Sequence, residues 1–311
     1  MKPELAPVRA VSRGEAAGTS YSVHAPQSAD ARETVVLIHG VGMNQSVWAP
    51  QIDALTSAYQ VVVYDMLGHG DSALPTSMPT LDEYASQLNA LLDTLYIERA
   101  HVVGHSMGAL VALEFALVHP GRTLSVAALN AVYDRTPAQR AAVMNRAATL
   151  GDTSAEKPAD ASTEAGIDAT LSRWFGDPIP VHLTQAAQAV RGLLLSVDPV
   201  GYARTYRLFA SSDDAHVGRL ASLTVPALFL TGECDPNSSP AMSRAMAAAA
   251  PHGRAEIIAN ERHMMNVTDP ARVNASLLAF LAEASASSLT DDVKPARKQA
   301  MNGSISGEHH G

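Results

Sequence analysis

The sequence predicts an α/β fold, a mostly parallel sheet flanked by helices with a helical cap inserted between its strands. Three observations predict it. Short continuous apolar runs alternate with stretches whose apolar residues recur at helical spacing, the pattern of strands buried on both faces and joined by crossover helices. The alternation stops after Asn130, and residues 131–217 carry helical periodicities only. Between an apolar run and a helical pattern lies Gly-His-Ser-Met-Gly at 104–108, which reads as strand, sharp turn and helix.

Residues 19–25 alternate polar and apolar, while 34–38 (TVVLI) and 60–64 (QVVVY) are continuous apolar runs, and all three read as strands. Between the last two, Trp48, Ile52 and Leu55 share a helical face and Pro50 sits near the start, where a proline fits. Strand, helix, strand with buried runs implies a parallel crossover. A second helix over 81–95 follows from apolar residues at Leu81, Tyr84, Leu88, Leu91, Leu92 and Leu95. A strand at 101–103 and a helix over 109–118 come next, the helix closed by Pro120 and Gly121, and then a strand at 123–129.

Within 131–217 the periodicities place helices at 138–150, 167–175, 182–195 and 200–209, and 151–164, rich in Ala, Ser, Thr and Asp, reads as a mobile connection. The sheet resumes at 225–230, followed by an alanine-rich helix over 240–250, a strand at 255–258 and a last helix over 269–284. An all-helical insertion between strands of a parallel sheet reads as a cap. The chain thus divides into a core of residues 1–130 and 218–284, a cap at 131–217, and a polar tail at 285–311 expected to be disordered.

A chain of 311 residues, 47% hydrophobic and 17% charged, buries a sizeable core and is not broadly disordered. Its net charge of -9 and lack of any Lys/Arg run argue against a nucleic-acid partner. No stretch approaches the roughly 18 apolar residues of a membrane span, and residues 1–18 lack the apolar core of a secretory signal. No membrane association is expected, and the cytoplasm is the default compartment. The single cysteine, Cys234, excludes an internal disulfide and a multi-cysteine metal site, and reads as a small residue at a strand end. The histidine pair near the C-terminus reads as inert. The expected partner is a small-molecule substrate, with a homo-oligomer left open.

Ser106, on the turn, is the candidate nucleophile: a strained strand-to-helix turn projects its hydroxyl, and Gly104 and Gly108 supply the small flanks such a turn requires. A serine hydroxyl needs a base, oriented by an acid, and in this topology acid and base follow it on later strand ends. Asp235, directly after the strand at 225–230, and His263, after the strand at 255–258, stand in that order. Glu233 and Asp134 are rival acids, and His105, beside the nucleophile, reads as structural. The developing oxyanion needs backbone donors: Met107 N–H, just after the serine, and Val41 N–H in the loop after 34–38, with Gly42 as the runner-up. No cofactor or metal is implied.

These residues resemble the α/β-hydrolase superfamily across nearly the whole chain. The resemblance rests on His-Gly-Val-Gly at 39–42, Asp65 to Ser72, the pentapeptide at 104–108, Gly-Glu-Cys-Asp-Pro ending at Pro236, and Arg-His-Met around His263. It implies an α/β-hydrolase fold, a mostly parallel sheet of about eight strands flanked by helices with a helical cap inserted after the sixth strand, and a catalytic triad of Ser106, Asp235 and His263, with residues 65–72 in a structural loop. A serine at the elbow points away from haloalkane dehalogenases and epoxide hydrolases. The cap is similar to that of 3-oxoadipate enol-lactonases and their relatives at 172–175 (SRWF) and 200–203 (VGYA). The oxyanion loop departs from them, with His-Gly-Val-Gly where those lactonases commonly carry Asn-Ser-Leu-Gly. Gly42, Arg173 and Trp174 are the candidate substrate-binding residues; Arg173, Arg204 and Arg207 read either as a clamp for a substrate carboxylate or as ordinary cap arginines. The implied function is a serine hydrolase of a small carboxylic ester or lactone, acting through an acyl-enzyme. The alternatives are an amide or enamide hydrolase, a carbon–carbon bond hydrolase of a ring-fission product, and a non-catalytic ligand-binding receptor.

Overall fold

A computed structural model of the chain describes residues 12–28, 31, 33–150 and 164–292. Its centre is one sheet in the order β1 (Ser12–Ala16), β2 (Thr19–His24), β4 (Gln60–Tyr64), β3 (Thr34–Ile38), β5 (Ala100–His105), β6 (Thr123–Leu129), β7 (Ala227–Gly232) and β8 (Gly253–Ile258). The apolar runs of β3 and β5 are buried along their whole length, as strands covered on both faces must be. From β4 to β8 every pairing is parallel, while β1 and β2 add an antiparallel edge. The fold predicted from the alternation of runs and helices is the fold observed.

The edge strand β1 and the start of β7 depart from the periodicity, each for a local reason. β1 has no apolar run; it forms because Ala17 and Gly18, at φ 49° and 74°, turn the chain back onto β2. β7 begins at Ala227 rather than 225, since Pro226 has no N–H to donate and enters the ladder only through its carbonyl, which accepts from Val126 N at 3.0 Å.

The helix α3 (Met107–Val118) follows β5 and is buried on every side over its first ten residues, which marks it as a central element. It packs beside α2 (Leu81–Thr94), and on the other flank α1 (Ala49–Leu55) packs beside α10 (Pro270–Asp292). α10 continues beyond Ala284, so the expected disorder from 285 is corrected over 285–292: Ser285 Oγ donates to the Glu33 carboxylate and keeps the helix docked. The tail from 293, the connection at 151–163 and the N-terminal residues 1–11 lie outside the described residues. No helix among the described residues is long and apolar enough to cross a membrane.

The insertion after β6 consists of α4 (Pro137–Ala148), α5 (Glu164–Phe175), α6 (Thr184–Ser196) and α7 (Pro199–Ser211). Local chemistry starts them where they start. Thr136 and Gln139 form a capping box on α4, and the Asp198 carboxylate accepts from Gly201 N at the head of α7. One buried polar contact then ties the two stalks of the cap to each other, and two more fasten the cap to the core. Asp213, in the descending stalk, accepts from Arg135 N at 3.0 Å and from the Arg135 guanidinium at 3.4 Å in the ascending stalk. Glu114 on α3 accepts from His216 at 3.1 Å and from two Arg219 nitrogens at 2.7 and 2.9 Å. Burial raises the Glu114 carboxyl, but these hydrogen bonds outweigh it and bring the pKa down to about 2. Tyr84 Oη and Thr205 Oγ1 lie 2.7 Å apart across the third junction.

Asp213 is the carboxylate paired with the buried Arg135 guanidinium, so removing it leaves that cation buried without its partner charge. Asp213→Ala is expected to cost about 3–5 kcal/mol of unfolding free energy, read as a lower urea midpoint. Asp213→Asn, which keeps an acceptor, should cost less, and an unchanged midpoint in the alanine variant would contradict this account of the cap stalks.

Candidate active site

The strand order reverses between β3 and β5: the chain moves from β3 outward to β4, then returns to the other side of β3 to form β5. Loops leaving the C-terminal ends of these two strands therefore open a crevice at one point of the sheet edge. Ser106 sits there with φ 56° and ψ −115°, a conformation that L-residues avoid, and it is held by its N–H bond to Leu129 O at 2.8 Å. The flanking glycines are required by space. A Cβ at Gly104 would lie 2.0 Å from Gly108 O, and one at Gly108 would lie 2.2 Å from Ile38 O.

The two later candidates meet beside it. The His263 ring donates from Nδ1 to Asp235 Oδ2 at 2.9 Å, which leaves Nε2 as an acceptor, and both side chains are buried. Asp235 is anchored three further times: Asn130 Nδ2 at 2.7 Å and Ser238 Oγ at 2.8 Å donate to Oδ2, and Asn237 N donates to Oδ1 at 2.7 Å. Burial pushes the Asp235 carboxyl up, but the neighbouring His263 and these donors hold it below the usual carboxylate range. Of the rival acids, Glu233 accepts from Asn260 N at 3.0 Å in an exposed turn, and Asp134 is exposed in the cap stalk. Asn130 and Ser238 were not singled out from the sequence; Asn130, immediately after β6, carries the one available signal, its place at a strand end.

Ser106 and His263 face one cavity of about 150 Å³, floored also by Val41 and roofed by the cap. Trp174 closes over the base, its ring 5.3 Å from that of His263. Arg173 and Arg146 line the roof with Tyr202 and Tyr206. Arg146 Nε donates to Tyr206 Oη at 3.1 Å and Arg173 to Thr170 Oγ1 at 3.2 Å, and neither guanidinium meets a carboxylate among the described residues. Burial, and then repulsion from Arg146, lowers the Arg173 pKa. Arg146 was not anticipated, whereas Arg204 donates to Pro75 O at 2.7 Å and does not line the cavity. Gly42 does not line it either: its N–H donates to His69 Nε2 at 3.0 Å, and Leu194 and Tyr202 crowd its Cα. Met107 opens α3, so its N–H is one of the helix's first-turn amides with no intrahelical acceptor. Among the described residues no group of three or more His, Cys, Asp or Glu is placed to hold a metal ion.

The sequence profile described as the Alpha/beta hydrolase family matches residues 35–276, from β3 into α10. The chain belongs to the α/β-hydrolase family. This α/β-hydrolase is 37% identical over 249 residues to (E)-2-((N-methylformamido)methylene)succinate hydrolase of Acinetobacter baylyi, covering 80% of this chain and 90% of that protein. It is 28% identical to 3-oxoadipate enol-lactonase 1 of the same organism, over 81% of this chain and 88% of the other. The solved enol-lactonase from Burkholderia xenovorans LB400 superposes with a TM-score of 0.75 at 27% identity, over 87% of this chain and 100% of that one. The chain is therefore an enzyme of this fold, and hydrolysis of small esters, lactones or amides is its general activity.

Three buried histidines surround the site of this α/β-hydrolase. His39 Nε2 accepts from Met66 N at 3.0 Å, His69 Nε2 accepts from Gly42 N at 3.0 Å, and His105 donates from Nε2 to His263 O at 2.8 Å. Burial above all pushes their pKa values from 6.5 down to about 4 for His39 and about 3 for His69 and His105. Below 6.5 the unfolded chain binds protons that these folded imidazoles refuse, so their contribution is complete above 6.5 and declines as pH falls towards 4 and then 3. Each histidine is expected to remove up to about 1.4 kcal/mol of stability per pH unit within that window. The thermal midpoint should fall steeply between about pH 6 and pH 4; a flat midpoint across that range would mean that the imidazoles are not held neutral.

Proposed function

We propose that the protein is a serine hydrolase of a small carbonyl compound bearing a carboxylate, with an ester or lactone as the scissile group. The observation that carries this reading is the shared cavity. It joins Ser106 to a His263 already oriented by a buried carboxylate, beneath two arginines without acidic partners among the described residues.

In this reading the Ser106 oxygen attacks the carbonyl carbon while His263 Nε2 takes the hydroxyl proton. Asp235 stabilises the imidazolium that results. The carbonyl π electrons move to oxygen, where Val41 and Met107 N–H donate, each such donor lowering the barrier by about 3 kcal/mol. As the tetrahedral intermediate collapses, the bond to the leaving oxygen breaks and His263 returns the proton to it. Water then attacks the acyl-enzyme with His263 again acting as base, releasing the acid and restoring the serine. Arg146 and Arg173 hold the substrate carboxylate, whose charge offsets the repulsion between the two cations.

A second reading keeps the same steps with nitrogen as the leaving atom. It is favoured by the 37% identity to a hydrolase named for an N-methylformamido-methylene succinate, a name that combines an amide nitrogen with carboxylates.

Turnover of succinate half-esters, carboxylated lactones and N-acyl enamine dicarboxylates, measured side by side, separates the two readings. Ser106→Ala should lower kcat by at least about 10⁴-fold, and retention of wild-type turnover would sink the mechanism. Arg173→Met should raise KM about 10- to 100-fold for a carboxylated ester and leave an uncharged ester such as p-nitrophenyl acetate nearly unaffected. Equal losses on both substrates would remove the carboxylate-binding role.

A further inference from the structure

The loop after β3 and the loop after β4 are cross-linked twice, by two histidines working in opposite directions. His39, in the first loop, donates from Nδ1 to Gly40 O at 2.8 Å and accepts the second loop's Met66 N–H at Nε2. His69, in the second loop, donates from Nδ1 to Leu67 O at 3.2 Å and accepts the first loop's Gly42 N–H at Nε2. The rings meet edge to face with centroids 5.3 Å apart.

The segment so held is a tight turn. Met43 N donates to Gly40 O at 3.2 Å, and Gly42 has φ 79°, so Val41 and Gly42 are the central residues of a type II turn. Type I and type II turns differ by a flip of the central peptide, here the one joining Val41 to Gly42. With its N–H held by His69, that peptide cannot turn over without losing a buried hydrogen bond, and Gly42 N–H stays directed away from the cavity that Val41 lines.

We propose that His69 is a positioning residue for the oxyanion donor: by capturing Gly42 N–H it fixes the peptide that follows Val41, while His39 and Met43 N hold the Gly40 carbonyl of the peptide that precedes it, so that Val41 sits between two anchored peptides with its N–H presented to the reacting carbonyl. The inference rests on the hydrolytic reading above. It accounts for the buried imidazole, since only a neutral ring has a lone pair with which to accept an amide. The charged and titratable groups that face His69 are His39, Asp65 and Asp198; burial, aided by His39, outweighs the two carboxylates and the Leu67 carbonyl in keeping the ring neutral.

The test compares His69→Gln, whose Oε1 reaches close to the position of Nε2, with His69→Asn, whose amide is too short to reach it. Steady-state turnover of p-nitrophenyl acetate is measured with inhibition by a trifluoromethyl ketone, which adds Ser106 Oγ, passes the serine proton to His263 and leaves an oxyanion facing the two donors. His69→Asn should lower kcat about tenfold or more, short of the 10²–10³-fold expected for outright loss of a donor, with KM little changed and ketone affinity weakened in proportion. His69→Gln should recover most of both losses. The proposal is overturned if the two variants are equally active, if the asparagine variant keeps wild-type kcat, or if its loss lies in KM alone. Should His69→Asn fail to fold, ketone affinity of His69→Gln decides: near wild type upholds the proposal, and a tenfold or greater weakening overturns it. Ser106→Ala, run alongside, separates the causes. If it turns over the ester like the wild type, the hydrolytic reading fails; if it is inactive while His69→Asn is fully active, only the role of His69 fails.

Discussion

Where β3 and β5 run side by side, the carbonyl of Ile38 leaves no room for a side chain at Gly108, and the carbonyl of Gly108 leaves none at Gly104. This backbone contact lets the turn at Ser106 sit tight against the end of β3, and the reversal of strand order at the same point brings the oxyanion loop alongside. Ser106 is held in an unfavourable backbone conformation because the strand on one side and the buried helix α3 on the other overdetermine it. The placing of Asp235 and His263 is a consequence of the same sheet: β7 and β8 continue it in parallel, so the residues following them emerge at the same edge.

The cap is joined to this frame by an apolar cluster that runs through both and by buried polar contacts. Arg135 and Asp213 tie its two stalks to each other, and Glu114 ties the descending one to α3 through His216 and Arg219. Buried charges of this kind are poor sources of net stability, but they penalise every alternative pairing and so fix one docking arrangement. That arrangement sets the arginine-bearing roof above the serine.

How much of this was legible in the sequence depended on whether a feature is local. The buried strands announced themselves through runs such as TVVLI and QVVVY, because strands covered on both faces have no polar side to show. Ser106, Asp235 and His263 could be chosen by their order along the chain, since in a parallel sheet order translates into place. β1 escaped because its pairing is imposed by the turn at Ala17 and Gly18 rather than by its own composition. Arg146 and Asn130 were hard to read for a different reason: each acquires its role from a partner far away in sequence, Tyr206 for Arg146 and Asp235 for Asn130, whereas Ser238 bonds to Asp235 only three residues back, in a turn whose serines carry no pattern. His69 stood within a motif that could be read only as a structural loop, although its acceptor reaches across to the other side of the crevice.

The contact of Leu194 and Tyr202 with Gly42 has a bearing on how such an enzyme can diversify. In the proposed reading the residues that choose a substrate lie in the cap and those that carry the reaction lie in the core, an arrangement that invites exchange of one roof for another. Yet α6 and α7 rest on the loop from which an oxyanion donor would come. A new roof therefore inherits an obligation unrelated to its cargo: it must bring something of the right bulk to that one glycine. The modularity of the two parts ends at that seam.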